Sequence, residues 1–395
     1  MKKRKVFIFI VPIITILCIG AILTISLINK NSTKNTNIAF VNVSPILSEA
    51  IKSQIKQPQD SKIIFHSIGF SEVSNKDQLK QYDLIISWEG SFTKSIEQFA
   101  EKIPSKILSK IPFSLSSKTN KSLPLLLDHY ELLYYNNTAV KEIKTYPSTF
   151  DDFESYLYNM LDYVFIPFFT YGGDDTNLLA FISALIESKG GYSSYTNFAS
   201  ILNSDYSFEE LINTSIGTGA SNALCLKDIL DILKKWQKDG ILHPLWFNAK
   251  FGDFEYFMNL KQIAVGFTSL SNHRKLEYNL VKNFTSTEFP KVLDKNYHGI
   301  IAPTLLAIQM KENTFTDQII STLISDITQE NLSSATTLAP TNSSSVPFDI
   351  QADDVRFWTA ACKYGTIADL GSLVYQTDAE KASQFCKKIR EYLSY

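Results

Sequence analysis

The chain predicts an α/β fold in which sheets and helices are layered, and two observations lead there. Short apolar runs of strand length, "KIIFHSIG" (62–69), "YDLIISW" (82–88), "ELLYY" (131–135), "YVFIPFF" (163–169), "QIAVGFT" (262–268) and "HGIIA" (298–302), alternate with helical patterns at 91–103, 149–163, 177–189, 222–239, 314–330 and 377–393. The length of 395 residues is also too great for one small core, so two domains or one large α/β unit are expected.

The N-terminus stands apart. Met1 is followed by Lys2, Lys3, Arg4 and Lys5, and the run from Val6 to Ile28 carries no charge. That run is long enough to cross a hydrocarbon core as a helix, with the basic stub 1–5 on the cytoplasmic side. A cleaved signal peptide would have a shorter apolar core and a small-x-small site; only Thr24 with Ser26 approaches one, at the very end of the run. A lipoprotein would carry a small residue before its cysteine, and Cys18 follows Ile16 and Leu17. The length favours an uncleaved signal anchor at 6–28, a polar linker at 29–37 and a module on the extracytoplasmic side of the cytoplasmic membrane.

Composition excludes some functions. A formal net charge of −2 gives no electrostatic reason to expect nucleic acid. Cys225, Cys362 and Cys386 have no C-x-x-C spacing, and the histidines at 66, 129, 243, 273 and 298 have no metal-ligand spacing, so no metal or cofactor is expected. The three cysteines allow at most one bridge, such as Cys362 with Cys386, although small buried apolar residues are the plainer expectation. No G-x-S-x-G, phosphate loop or H-E-x-x-H appears, so no catalytic residue is assigned.

Individual elements carry their own signals. Ser207 with Glu210 and Thr377 with Glu380 fit the capping box. Leu226, Ile229, Leu230, Leu233 and Trp236 recur at helical spacing before Gly240 stops the helix, and 333–347 is a loop by composition. In "PLLLDHYELLYYNN" (124–137), Asp128, His129 and Tyr130 interrupt an apolar run. Buried polar groups need partners, so these three form an internal network or line a ligand site. "ISWEGS" places Trp88 and Glu89 where a strand runs into a turn, and "FFTYGGDDTN" does so with Tyr171 and Asp174. Rings flanked by carboxylates beyond strand ends suit a sugar, whose C–H faces stack on aromatics while its hydroxyls need polar partners.

The chain resembles the family 1 extracellular solute-binding proteins of ABC transporters, the maltose-binding and sugar-binding group. "DHYELLYYNNTAVKEIKTYPSTFDDFESYL" (128–157) is similar to the family's strand ending in Y-N followed by P-x-T-W-D-E-F, with Phe150 in place of Trp. "TYGGDDTNLLAFISALIESKGG", "ILDILKKWQKDGILHPLW", "FMNLKQIAVGFTS" and "DITQENLSSATTLAPTN" follow in the family's order, over nearly all of 40–395. The "LKQIAVG" strand lacks the customary Gly-Lys pair, and 38–90 is shorter than in many members.

The resemblance implies a two-lobed, type 2 periplasmic-binding-protein fold, each lobe a mixed sheet flanked by helices, preceded here by one N-terminal transmembrane helix. Lobe 1 would comprise 38–130 and 266–302, and lobe 2 would comprise 131–265 and 303–395. It implies that Asp128, His129 and Tyr130 face the cleft floor, with Trp88, Glu89, Tyr171, Asp174, Phe267 and Thr268 as ligand contacts and Trp246 and Trp358 as further stacking candidates. For Asp174 a helix cap, and for Phe267, Trp246 and Trp358 packing against the lobe, are the competing roles. The implied function is capture of a small solute, a sugar or oligosaccharide, by a monomer that delivers it to ABC permease subunits. Rivals are a ligand-sensing or adhesive surface protein on the same fold, and a tethered hydrolase using Glu89 and Asp174.

Overall fold

Two separate sheets, each with its own core, organise the chain in this computed structural model, which describes residues 34–57, 61–73, 76–115, 120–136, 146–217, 224–291, 295–347 and 349–394. The expected membrane helix at 6–28 lies outside the described residues. Among the described residues no helix is long and apolar enough to cross a membrane. The linker expected at 29–37 ends sooner, because a strand already begins at Lys34.

The first sheet holds β1 (Lys34–Val41), β2 (Ser61–Ile68), β3 (Leu84–Trp88) and β4 (Ser122–Leu127), joined later by β10 (Thr304–Gln309) and β11 (Ala339–Pro340). Its order is β11-β4-β10-β3-β1-β2, with β10 antiparallel to both β3 and β4. Both faces are covered. Ile38, Phe40, Leu84 and Ile86 enter one apolar cluster, while the alternating Ala39, Val41 and Ile85 enter another. A strand buried on both sides reads as a continuous apolar run, which is why "LIIS" shows no polar alternation.

The second sheet holds β5 (Tyr130–Tyr135), β6 (Ile166–Phe169), β7 (Ile263–Ser269) and β8 (Phe284–Thr287), in the order β6-β7-β5-β8. Phe153, Phe168, Phe181, Trp236, Trp246, Phe267 and Phe289 meet in one cluster beside it, so much of the chain's aromatic content fills this core.

Among the described residues, three chain crossings join the lobes. The first is Asp128–His129, between β4 and β5. The second is Ala302–Pro303, between β9 (Ile300–Ile301) and β10. The third follows the helix Ile350–Ala361, which packs on β11 and on Phe113–Leu115 of the first lobe. Its strand β12 (Thr366–Ile367) pairs with β9, and the helix Leu370–Tyr375 then packs on the second lobe's helix Asp175–Ile201.

These ladders correct the expected division of the C-terminal half. β7 and β8 hydrogen-bond to β5, so 266–287 belongs with the second sheet, whereas β10 and β11 return to the first. Strand partners decide lobe membership, and β10 lies beyond the six runs expected as strands.

Helix ends follow local chemistry. The Ser207–Glu210 box forms, with the Ser207 amide donating to Glu210 and the Glu210 amide donating to Ser207 Oγ. At the last helix, Ala379–Ser394, Asp378 accepts from the Lys381 amide, so Asp378 rather than Thr377 is the cap. The span expected at 314–330 is two helices, Thr314–Leu323 and Asp326–Thr336, because Ser325 caps the second. The helix expected at 91–103 stops at Glu97, and the loop expected at 333–347 contains the last turn of a helix and β11. Helix Asp175–Ile201 outruns its expected 177–189 and kinks at Gly191, whose φ of 73° suits glycine.

Candidate functional site between the lobes

Strand ends from both sheets meet at the crossings. Asp128, just past β4, accepts from the backbone amide and the hydroxyl of Ser271, just past β7, at 2.9 and 2.7 Å. Its own amide donates to the Pro303 carbonyl. Burial raises the Asp128 pKa above the usual carboxylate range, and the Ser271 bonds oppose that rise. On the same side Tyr171, past β6, bonds Thr268 through its hydroxyl and accepts from Asn272 Nδ2, both at 2.8 Å. Burial pushes the Tyr171 phenol up to about 12. Asp128 and Tyr171 thus sit in one network that closes on itself.

A cavity of about 640 Å³ lies between the lobes on the other side of β3's end. The first lobe lines it with Glu89, Thr93, Lys94 and Phe113, the second with Tyr192 and Thr196, and the third crossing with Lys363 and Tyr364. Phe113 is 95% exposed at its rim. Two carboxylates, Glu89 and Glu97, and two ammonium groups, Lys94 and Lys363, sit around the same space. Glu89 is placed by its backbone, whose amide donates to the Thr304 carbonyl at 2.7 Å. Burial lifts its carboxyl to about 7, with Lys94 pulling it back. Such walls can hydrogen-bond hydroxyls and stack an apolar face.

The expected contacts divide. Glu89 lines the cavity. Trp88 is half-buried against the first lobe's core, and its carbonyl accepts from Gln376 Nε2 of the second lobe at 2.8 Å. Thr268 serves the Tyr171 network. Trp358 is half-buried with its ring 5.2 Å from that of His129.

Several expected contacts are instead structural. Tyr130 stacks on Phe267 at 5.6 Å, and both lie in the second lobe's core. Trp246 is fully buried, edge-on to Phe181 at 5.6 Å. His129 is sealed, with neither ring nitrogen partnered among the described residues. Asp174 caps the helix that follows, accepting from the Asn177 amide at 3.0 Å. None of Cys225, Cys362 and Cys386 is in a disulfide among the described residues. Among the described residues no group of His, Cys, Asp and Glu could hold a metal.

Tyr192, Thr196, Thr93 and Tyr364 were not legible as site residues. The only local signal is the Gly190–Gly191 pair before Tyr192, which marks a backbone kink rather than a ligand.

Two sheet-and-helix lobes joined by three crossings, with an aromatic and polar cavity between them, define the solute-binding-protein fold. Solved structures share it. The bacterial solute receptor AcbH, described as exclusive for β-D-galactopyranose, superposes with a TM-score of 0.72 at 13% identity, over 92% of this chain and 93% of that one. A protein assigned as the binding protein MsmE of Bacillus subtilis strain 168, in an open conformation, gives 0.64 at 16% identity, over 92% and 96%. A protein from work on xylan utilisation by Caldanaerobius polysaccharolyticus gives 0.61 at 11% identity, over 91% and 95%. No family model matches the sequence, and no curated protein does.

Proposed function

We propose that this chain captures a sugar or oligosaccharide between its lobes and presents it to an ABC importer on the extracytoplasmic face of the membrane, held there by the segment at 6–28. The observation that carries this is the cavity lined from both lobes, where Glu89 and Thr93 face Tyr192, Thr196 and Tyr364. The sugar-binding character of the structural neighbour AcbH supports the choice of ligand class.

The mechanism is differential binding. A solute that touches both walls favours the arrangement in which both walls reach it, and the crossings act as the hinge. Permease subunits would then recognise that arrangement, and the bound solute undergoes no chemistry.

Thermal denaturation of the purified protein with galactose, oligosaccharides, amino acids and peptides tests the proposal. A solute at a hundred times its Kd stabilises the native state by about 2.7 kcal/mol. A shift confined to carbohydrates is expected. A shift only with amino acids or peptides would overturn the ligand class, and no shift from folded protein would favour the adhesive alternative.

A further inference from the structure

The rings of Tyr192 and Tyr364 stack with centroids 4.0 Å apart and planes 5° from parallel. Both line the interlobe cavity. Tyr192 is the first residue past the Gly191 kink of the second lobe's long helix, and Thr196, one turn further, lines the same cavity. The kink is not replaceable: Gly191 has φ 73°, and a Cβ there would sit 2.9 Å from the Tyr297 carbonyl oxygen. Tyr364 lies on the third crossing, where its amide donates to the His298 carbonyl at 3.4 Å. Its neighbour Gly365, at φ 55°, lies so close to the Ser114 backbone that a Cβ would fall 2.1 Å from the Ser114 oxygen. The ring pair therefore joins the second lobe's long helix to the third crossing, which also packs on Ser114 of the first lobe.

The surroundings of Tyr192 are those a sugar uses. A pyranose lays a C–H face on a flat ring and turns its hydroxyls to polar groups at the ring's edge. Glu89 is close enough that, after burial, it is the next cause raising the Tyr192 phenol. Thr93 and Thr196 complete the polar edge. The ring that now lies on Tyr192 is half-buried and has the ammonium of the exposed Lys363 5.5 Å from its centroid.

We propose that Tyr192 is the ring on which sugar stacks in this cavity, and that Tyr364 covers it, so that ligand and Tyr364 compete for one aromatic face. This rests on the sugar-capture proposal above. The stack then has two roles: it ties the second lobe's helix to the crossing, and it sets how much affinity is spent on uncovering the platform.

The test compares the full-length protein with Tyr364→Ala, Tyr192→Ala and Tyr192→Phe, titrated calorimetrically with galactose, raffinose and xylo-oligosaccharides. Near-ultraviolet circular dichroism follows the tyrosine pair directly. Removing the cover in Tyr364→Ala is expected to tighten binding by about two- to tenfold, the worth of one ring pair. Tyr192→Ala is expected to weaken it by at least that factor, while Tyr192→Phe, which keeps the face, stays near wild type. Ligand should abolish the dichroism of the pair in the wild type and cause no such change in Tyr364→Ala. If Tyr364→Ala weakens binding as Tyr192→Ala does, Tyr364 is a contact and the competition is refuted. If sugar binds and neither substitution alters affinity, the stack is structural and only this inference falls. If folded wild type binds none of the sugars, the capture proposal falls and takes this inference with it.

Discussion

Replacing His129 with leucine should remove a specific part of the protein's acid sensitivity. His129 lies in the first crossing, fully buried, with neither ring nitrogen partnered among the described residues. Burial, with Lys291 as a second cause, holds its pKa down at about 3 against an ordinary 6.5. Between those values the unfolded chain takes up a proton that the native imidazole refuses, so stability rises with pH across the window and is lost as pH falls below 6.5. At pH 5 the unfolded state gains a factor of about 33 from that proton, or about 2 kcal/mol, relative to pH 8. His129→Leu cannot take up the proton, and at pH 8 it should be neutral or slightly stabilising, because it also removes two unpaired polar atoms. Urea denaturation followed by tryptophan fluorescence at pH 8 and pH 5 measures both terms. The other histidines contribute equally to both proteins, so the wild type should lose about 2 kcal/mol more than the variant. Equal losses would show that the native state accommodates a charged or hydrated His129, and would refute the reasoning.

Other perturbations have opposite or larger effects. Burial raises the Glu89 carboxyl from 4.5 to about 7, so the native state holds the extra proton and stability falls as pH rises from 4.5 to 7. Glu89→Gln should abolish that slope and gain about 1–2 kcal/mol at pH 8, allowing for its residual exposure, as read from denaturation at both pH values. Lys291 donates to Glu187 at 3.0 Å and to the Gly299 carbonyl at 2.9 Å inside the second lobe. Lys291→Met leaves that carboxylate buried without its cation and should cost about 3–5 kcal/mol, whereas adding Glu187→Leu should recover part of the loss. Gly172→Ala puts a methyl 2.7 Å from the Trp246 ring and 2.9 Å from the Phe247 Cα. That overpacking should cost about 1–3 kcal/mol, visible as a lower midpoint of thermal unfolding.

What was legible in the sequence was whatever depends on near neighbours along the chain. The apolar face Leu226, Ile229, Leu230, Leu233 and Trp236 is buried as its spacing requires, and Gly240 ends that helix at φ 82°. The polar break at Asp128–His129 does mark the passage from one sheet to the other. Site residues were harder to see, because a ring at a strand end has the same composition whether it packs inward or meets ligand. Trp246 and Phe267 turned inward, and Tyr192 and Tyr364 lie 172 positions apart yet stack in one cavity.

The sequence by itself determined the α/β class, six of the strands, several of the helices, and the polarity break at the first crossing, because apolar periodicity and capping chemistry act within a few residues. Only the tertiary structure decided that β10 returns to the first sheet, that Asp128 is matched by Ser271, and that Glu89, Tyr192 and Tyr364 share a cavity. Strand partners and cavity walls are chosen by contacts between distant segments, and those contacts leave no period in the chain.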